Sequence, residues 1–277
     1  MEILFLGTAA AEGWPGIFCE CEYCEKAREL KSKNIRTRSS IIIDRKYKVD
    51  LPPDTYWHTV KYGLNLSKIE HLFITHSHAD HFDFSELYFY FEPFAHFKNK
   101  ERYLNIYGNK NVFEIISNLI KEKKNGQFII PHLLEVFKKY EAGDMEFYPV
   151  LADHEPKETS LNFIFKYKNR TILHGYDTGW YPDNTWEFIK DFKCDIVIMD
   201  CTNGILDFEK YHLGIKGVIK VKEKLLKYGC LKEKFRFVAT HFSHNGKLLH
   251  SELEKIFKKE KIEVAYDGKK IKLRDLI

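Results

Sequence analysis

The chain has 277 residues, of which 44% are hydrophobic and 15% aromatic, so it can bury a substantial core. Charged residues make up 30% and the net charge is +4. This composition excludes a disordered chain, and the weak basic excess argues against a dedicated nucleic-acid binder while it suits a small anionic substrate. The sequence has no apolar stretch long enough for a membrane span and no basic secretion signal, so we expect a cytoplasmic protein.

Hydrophobic periodicity and turn residues predict strands and helices along the chain. The predicted strands are Ile3–Leu6, Ser39–Asp44, Tyr47–Asp50, His71–Thr75, Leu104–Tyr107, Phe147–Leu151, Asn162–Tyr167, Thr171–His174, Cys194–Met199 and Phe235–Thr240. The predicted helices are Thr55–Leu64, Phe84–Phe97, Asn111–Glu122, Ile215–Leu226 and Lys247–Lys259. Strands first follow one another and then alternate with helices, which predicts one α/β domain over residues 1–277 with helices covering mixed sheets.

The strongest signal is a histidine motif, THSHADH, over residues 75–81, directly after a predicted strand. Three imidazoles and a carboxylate within six residues are hard to explain by packing, but zinc, manganese and iron all accept such ligands. In a tight loop, His76 and His78 can face one metal while Asp80 and His81 face a second. The motif therefore predicts a two-metal site, which needs further ligands from elsewhere in the chain.

Three more candidate ligands follow predicted strands. His154 comes after Phe147–Leu151, Asp177 after Thr171–His174, and His241 after Phe235–Thr240. Active-site residues of sheet proteins gather at strand ends, so these side chains are expected to complete the site.

This ligand order, together with the opening sequence FLGT at residues 5–8, resembles the metallo-β-lactamase superfamily over nearly the whole chain. The resemblance implies an α/β fold of four layers, an αββα sandwich, with the metals at one edge of two sheets. It also implies the role of each ligand: His76, His78 and His154 bind the first metal, Asp80, His81 and His241 bind the second, and Asp177 bridges them. Asp80 thus belongs to the catalytic residues.

The superfamily also has a buried aspartate that supports the metal-binding loop, and two residues compete for this role. Asp50 is preferred because its spacing to Asp54 fits better, and Asp44 is the alternative.

A second cluster consists of Cys19, Cys21 and Cys24. In a cytosolic protein such spacing favours zinc over a disulfide. A closed tetrahedral site needs a fourth ligand, and His244 is the natural candidate. Three early cysteines combined with His241 and His244 near the C-terminus resemble the phosphodiesterases of the carbon–phosphorus lyase pathway. That resemblance implies a structural zinc that ties the N-terminal loop to His244.

Cleavage of a phosphodiester also needs a proton donor for the leaving oxygen, which is a task for a histidine outside the metal site. His212 precedes the predicted helix Ile215–Leu226 and suits this task. Asp200 lies at a strand end, and its pairing with a later histidine resembles the phosphodiesterase branches of the superfamily. The carboxylate would raise the pKa of the imidazole and keep it protonated.

We therefore expect a binuclear metal-dependent phosphodiesterase that cleaves a small phosphodiester, cyclic or linear, by a metal-bridging hydroxide. Its cofactors would be two catalytic divalent metals (zinc, manganese or iron) and one structural zinc. The sequence leaves a homodimer open and predicts neither membrane nor nucleic acid as a partner.

Three alternatives stay open at this point. A tRNA 3′-processing endonuclease requires a basic, glycine-rich arm, which the sequence lacks. Redox proteins of the pyrroloquinoline quinone biosynthesis B type share the cysteine cluster but generally lose much of the metal-ligand set. A non-enzymatic binding module would not need the complete ligand set.

Overall fold

The computed structural model describes residues 1–98, 102–121 and 123–273. Its strands are β1 Glu2–Gly7, β2 Ser40–Ile43, β3 Tyr47–Val49, β4 His71–Phe73, β5 Leu104–Gly108, β6 Ile129–Leu133, β7 Tyr140–Ala142, β8 Met145–Leu151, β9 Leu161–Tyr167, β10 Arg170–Gly175, β11 Cys194–Asp200, β12 Leu231–Thr240, β13 Glu263–Val264 and β14 Lys270–Lys272. Its α-helices are α1 Glu22–Leu30, α2 Thr55–Tyr62, α3 Lys110–Leu119, α4 Asp183–Ile189, α5 Ile215–Lys227 and α6 His250–Lys259.

The strands form two seven-stranded sheets. The first has the order β14-β1-β2-β3-β4-β5-β6, and the second has the order β13-β12-β11-β10-β9-β8-β7. Both sheets are mixed: β3, β4, β5 and β6 run parallel in the first, and β10 to β13 run parallel in the second. Because neighbouring parallel strands end at the same edge, the loops after them converge there.

Side chains that alternate along each strand build the interior on both faces of each sheet. In β1, Ile3 and Phe5 face the other sheet, whereas Leu4 and Leu6 face outward into a separate buried cluster. In β11, Ile196 belongs to the layer between the sheets and Val197 to the opposite face. Near-continuous hydrophobic strands are expected where both faces of a sheet are covered.

The outer faces of the two sheets are covered by helices. Val112 and Ile116 of α3 belong to the cluster outside the first sheet, and Val218 and Val221 of α5 belong to the cluster outside the second. The protein is thus an αββα sandwich, as the sequence predicted. In the described part of the chain, the structure contains no helix that is both long and apolar enough to cross a membrane.

Some predicted elements need correction. The predicted helix Phe84–Phe97 is wrong: a 3₁₀ helix covers only Phe84–Tyr90, and the chain then turns to extended backbone at Phe91. Pro93 explains the early end, since it lacks a backbone donor and restricts the residue before it. The predicted helix Asn111–Glu122 forms as Lys110–Leu119, and its last predicted residue, Glu122, lies outside the described residues.

Several elements were not predicted, although their packing contributes to the fold. They include α1, α4, β6, β7, β13 and β14. Most are short, and the strands among them have five residues or fewer. Such segments carry too few residues for a clear hydrophobic period.

Phe73 lies at the centre of the interior between the sheets and is fully buried. Its ring centroid lies 5.0 Å from Tyr107, 4.9 Å from Phe147 and 5.0 Å from Phe165. We expect Phe73→Ala to lower the free energy of unfolding by about 3–5 kcal/mol, because the cavity cannot close between two sheets. Urea unfolding in the presence of a chelator measures this change. Phe94→Ala is the control: Phe94 is 64% exposed and should cost about 0.5 kcal/mol or less.

Candidate metal centre

The candidate ligands meet at one edge of the two sheets. The histidine motif follows β4 of the first sheet, while His154, Asp177 and His241 follow β8, β10 and β12 of the second. Each side chain leaves its strand at the same edge, so residues far apart in sequence come within contact distance. All seven predicted ligands of the catalytic pair are brought together.

The first group consists of His76, His78, His154 and Asp177, whose ligand atoms all lie within 4.8 Å of one another. His154 Nε2 lies 3.2 Å from His78 Nδ1 and 3.3 Å from Asp177 Oδ2. His76 Nε2 lies 3.5 Å from the same carboxylate oxygen. Three imidazole nitrogens thus surround one carboxylate oxygen, an arrangement that suits zinc or manganese.

The second group consists of Asp80, His81, His241 and again Asp177. His81 Nε2 lies 3.2 Å from Asp80 Oδ2 and 3.2 Å from Asp177 Oδ2. His241 Nε2 lies 2.6 Å from Asp177 Oδ1. Asp177 therefore belongs to both groups, which is the geometry required of a bridging ligand.

Two observations show that the donor set fits metal ions. Among the described residues, His76 Nε2 and Asp177 Oδ1 are buried and have no partner in hydrogen-bond geometry, although charged atoms lie near both. Buried polar atoms that lack a hydrogen-bond partner and face neighbouring ligand side chains are typical of ligands around a common centre. Burial also lowers the pKa of His76 well below its ordinary value, which keeps the imidazole neutral as metal binding requires.

The second group also favours positive charge. Burial by itself would lower the pKa of His81, but the carboxylates of Asp177, Asp80 and Asp50 outweigh it and raise this pKa well above its ordinary value. The same carboxylates would attract a divalent cation, which must displace the proton from His81 to bind. Metal affinity should consequently increase with pH.

Asp50 supports the histidine motif, which is the role for which the sequence analysis preferred it over Asp44. This fully buried carboxylate accepts hydrogen bonds from Thr75 N at 2.9 Å and Thr75 Oγ1 at 3.0 Å, and it contacts His81 Nδ1 at 2.7 Å. The contact leaves His81 Nε2 for the metal. Asp44, the alternative, instead pairs with Lys168 at 2.8 Å, away from the site.

Two glutamates that the sequence analysis missed also contact the histidine motif. Glu158 accepts from Ser77 N at 3.1 Å and from Ser77 Oγ at 2.8 Å, and Glu155 Oε2 lies 3.2 Å from His78 Nε2. Because His78 Nδ1 faces the first group, Glu155 occupies the other ring nitrogen, the usual arrangement around metal-bound histidines. The position of Glu155 directly after His154 was the one available signal.

Asp200 and His212 form a pair beside the two groups. His212 Nδ1 donates to Asp200 Oδ2 at 2.9 Å, and the His212 ring lies 4.9 Å from His154 and 5.8 Å from His241, between ring centroids. Burial lowers the pKa of His212, but the Asp200 carboxylate more than offsets it and raises this pKa to about 9. One nitrogen of His212 and one carboxylate oxygen of Asp200 also lie within 4.8 Å of ligand atoms of Asp177 and His241, so the pair is close enough to act as ligands as well.

The cysteine cluster forms a separate candidate site. Cys19, Cys21, Cys24 and His244 present ligand atoms within 4.8 Å of one another. His244 Nδ1 lies 3.4 Å from Cys21 Sγ and 3.7 Å from Cys19 Sγ. Burial by itself would raise the pKa of the Cys21 thiol, but hydrogen bonds with Cys24, Cys19 and His244 outweigh this effect and lower the pKa to about 7. Three thiols and one imidazole fit a closed tetrahedral zinc site.

The candidate metal centre opens into a pocket of about 270 Å³. A larger cavity of about 710 Å³ lies elsewhere, on the outer face of the first sheet, and its lining is mostly apolar. Leu87, Phe89 and Tyr90 of the 3₁₀ helix Phe84–Tyr90 line this second cavity and not the metal pocket. In this part of the chain, Leu87 and Phe91 are buried in the hydrophobic cluster outside the first sheet, whereas Phe89 and Phe94 are exposed.

The layered sheets, the helices outside them and the ligand groups at one edge define a metallo-β-lactamase fold, as the sequence predicted. The family described as "Anti-Pycsar protein Apyc1" matches residues 39–231, and the chain belongs to this family. Among curated proteins, none matches the chain significantly in sequence.

Solved structures share the fold over its whole length. A diphosphatase of the PhnP family is 22% identical and has a TM-score of 0.75, with 98% of this chain and 96% of that chain covered. Zn²⁺-bound PqqB from Methylobacterium extorquens is 15% identical, with a TM-score of 0.74 and coverage of 99% and 100%. The short form of human tRNase Z is 17% identical, with a TM-score of 0.65 and coverage of 99% and 100%. These similarities concern the fold.

If Asp50 orients His81, then Asp50→Asn should weaken binding at the second metal position about 10–100-fold, the usual effect of losing a carboxylate behind a ligand histidine. Competition with a chromophoric chelator measures this affinity. Asp44→Asn makes the same change at the alternative aspartate and should leave both metal positions unaffected. Equal metal affinity in the two variants would remove the role assigned to Asp50.

Proposed function

We propose that this protein is a metal-dependent hydrolase that cleaves a small phosphodiester, cyclic or linear. The observation that carries the proposal is the juxtaposition of two ligand groups sharing Asp177 with an imidazole held by Asp200 in the same pocket. Two metals about 4 Å apart stabilise both the attacking and the leaving oxygen of a displacement at phosphorus. The pocket volume of about 270 Å³ suits a small substrate.

The ligands proposed for the catalytic pair are His76, His78, Asp80, His81, His154, Asp177 and His241. When bound, two divalent metals (zinc, manganese or iron) would polarise the phosphoryl oxygens and lower the pKa of water. The cysteine cluster with His244 would hold a structural zinc outside the pocket. It would tie the N-terminal loop and the start of α1 to the chain after β12, since Cys19 and Cys21 lie in that loop, Cys24 in α1, and His244 after β12.

His212 is proposed as the general acid. Its Nδ1 donates to Asp200, so Nε2 is the nitrogen available to a substrate in the pocket. With a pKa of about 9, the imidazole carries its proton at neutral pH and can give it to the leaving oxygen. Asp200 fixes the ring orientation and stabilises its charge; Asp200 also accepts from Leu213 N at 3.0 Å, which anchors the carboxylate.

A phosphoanhydride is a second linkage to compare, because one structural relative is a diphosphatase. Its leaving group is a weakly basic phosphate, so it depends less on a general acid than an alkyl diester does. For tRNA 3′-processing and a PqqB-like redox role, the only support is similarity of fold, which does not define a function. Turnover of mono-, di- and cyclic phosphate esters and of diphosphates by metal-reconstituted protein decides among these substrates.

The role of His212 makes a prediction about leaving groups. An alkoxide is strongly basic and needs the proton, whereas a nitrophenolate needs it far less. We expect His212→Ala to slow alkyl phosphodiesters roughly 10²–10⁴-fold, the usual range for general acid catalysis, and nitrophenyl esters much less. Asp200→Asn should reproduce a weaker version of this pattern. Equal losses on both ester types would mean that His212 positions the phosphate, and loss of metal would mean that it is a ligand.

The pKa of His212 also predicts a pH dependence. An acid catalyst works while it is protonated, so turnover of alkyl diesters should fall as the pH rises through the pKa of about 9. Bound metals would add positive charge nearby, so the descending limb should lie at about pH 9 or below it. Asp200→Asn should move this limb to lower pH, because it removes the charge that raises the pKa. A pH–rate profile in which Asp200→Asn leaves the limb in place would contradict the pairing.

A further inference from the structure

Glu12 lies between the cysteine cluster and the catalytic pocket. Its side chain is half-buried, with 30% exposed, and it lines the pocket together with Ser243 and Asn245. The loop that carries it runs beside the chain that follows β12: Ala10 N donates to Phe242 O at 3.0 Å. Glu12 is thereby fixed next to the segment that contains both His241 and His244.

One oxygen of the Glu12 carboxylate is already engaged. Oε1 accepts a hydrogen bond from Ser243 Oγ and lies 3.4 Å from His244 Nε2. His244 presents its other nitrogen, Nδ1, to the thiols of Cys19 and Cys21. If Nδ1 binds zinc, Nε2 carries the proton and can donate it to Glu12, which is the usual arrangement of carboxylate, histidine and metal.

The second oxygen of this carboxylate is open. Among the described residues, Glu12 Oε2 has no hydrogen-bond partner or ion pair. Glu12 also belongs to none of the ligand groups found in the described part of the chain, whereas Asp80 and Asp177, the other carboxylates lining the pocket, both do. Glu12 is therefore a negative charge on the pocket wall that the candidate metals do not take up as a ligand.

We propose that Glu12 is a specificity-determining residue that disfavours dianionic phosphates, so that the pocket prefers diesters to monoesters. The proposal rests on the proposed function. A phosphodiester carries one negative charge, whereas a phosphate monoester carries between one and a half and two at neutral pH, as phosphorylated side chains do. A fixed carboxylate repels the more highly charged group more strongly, and the contact with His244 makes its position depend on the cysteine site.

The expected size of the effect follows from Coulomb's law. One additional unit charge about 10 Å from a carboxylate changes binding about 2-fold in a water-like dielectric and up to about 15-fold at an effective dielectric of about 20. Glu12 is partly exposed, so a value within this range is expected. The change should decrease at high salt, because salt screens exposed charges.

The test compares Glu12→Gln with Glu20→Gln. Glu20 lies between Cys19 and Cys21, is exposed and does not line the pocket, so its substitution makes the same change of charge outside the pocket. We expect Glu12→Gln to lower the ratio of kcat/KM for nitrophenyl diester over nitrophenyl monoester about 2- to 15-fold, with the catalytic pair still loaded. We also expect the cysteine site of this variant to bind zinc about 10-fold more weakly, measured by chelator competition. Glu20→Gln should change neither measurement.

A binding measurement separates this proposal from the proposed function. Calorimetry at mildly alkaline pH with inorganic phosphate and dimethyl phosphate compares a largely dianionic and a monoanionic ligand without turnover. If the wild-type protein binds both but hydrolyses no ester, the proposed function is wrong, and tighter phosphate binding in Glu12→Gln still supports the charge selection. If Glu12→Gln leaves both the kinetic and the binding ratios unchanged, or weakens mono- and diesters equally, the role of Glu12 in selectivity is wrong.

Discussion

The rest of the site depends on the contacts between the buried carboxylate of Asp177 and the histidines around it. Its two oxygens contact the imidazoles of His76, His81, His154 and His241 at 2.6 to 3.5 Å. Burial disfavours its charge, but His241 and His81 more than offset this and hold the pKa of Asp177 well below its ordinary value. A buried charge persists only when neighbouring groups compensate it, and here histidines of both candidate metal positions surround the same carboxylate. Disturbing Asp177 should therefore affect both positions at once.

Several residues of this site have backbone conformations that short peptides would not adopt alone and that the surrounding fold stabilises. Asp50, Asp177 and His241 have φ values of 61°, 43° and 59°, in the left-handed region that non-glycine residues rarely adopt. Such conformations cost about 1–3 kcal/mol each and persist where the surroundings determine them. Around His241, Thr202 Oγ1 donates to the backbone oxygen at 2.9 Å. The two sheets, whose outer faces are covered by helices, supply the rigidity that holds these residues in their strained conformations at the site.

The sequence predicted those parts of the site whose chemistry is local or whose position in the chain is characteristic. The histidine motif packs four ligand side chains into six residues, and the later ligands follow clear hydrophobic strands. Glu12 and Glu158 could not be predicted in the same way, because their partners Ser243 and Ser77 lie 231 and 81 positions away along the chain. Helix α1 was missed since only Cys24 and Ala27 are buried in it, and two positions are too few to establish a helical period.

The most direct test of the account is a crystal structure of the metal-reconstituted protein with anomalous diffraction at the metal edges. The account predicts two peaks roughly 3.5–4 Å apart, the separation of two-metal sites, with the Asp177 carboxylate between them. It also predicts a zinc peak among Cys19, Cys21, Cys24 and His244. A single peak at the sheet edge in fully loaded protein, or two peaks that do not share Asp177, would contradict it.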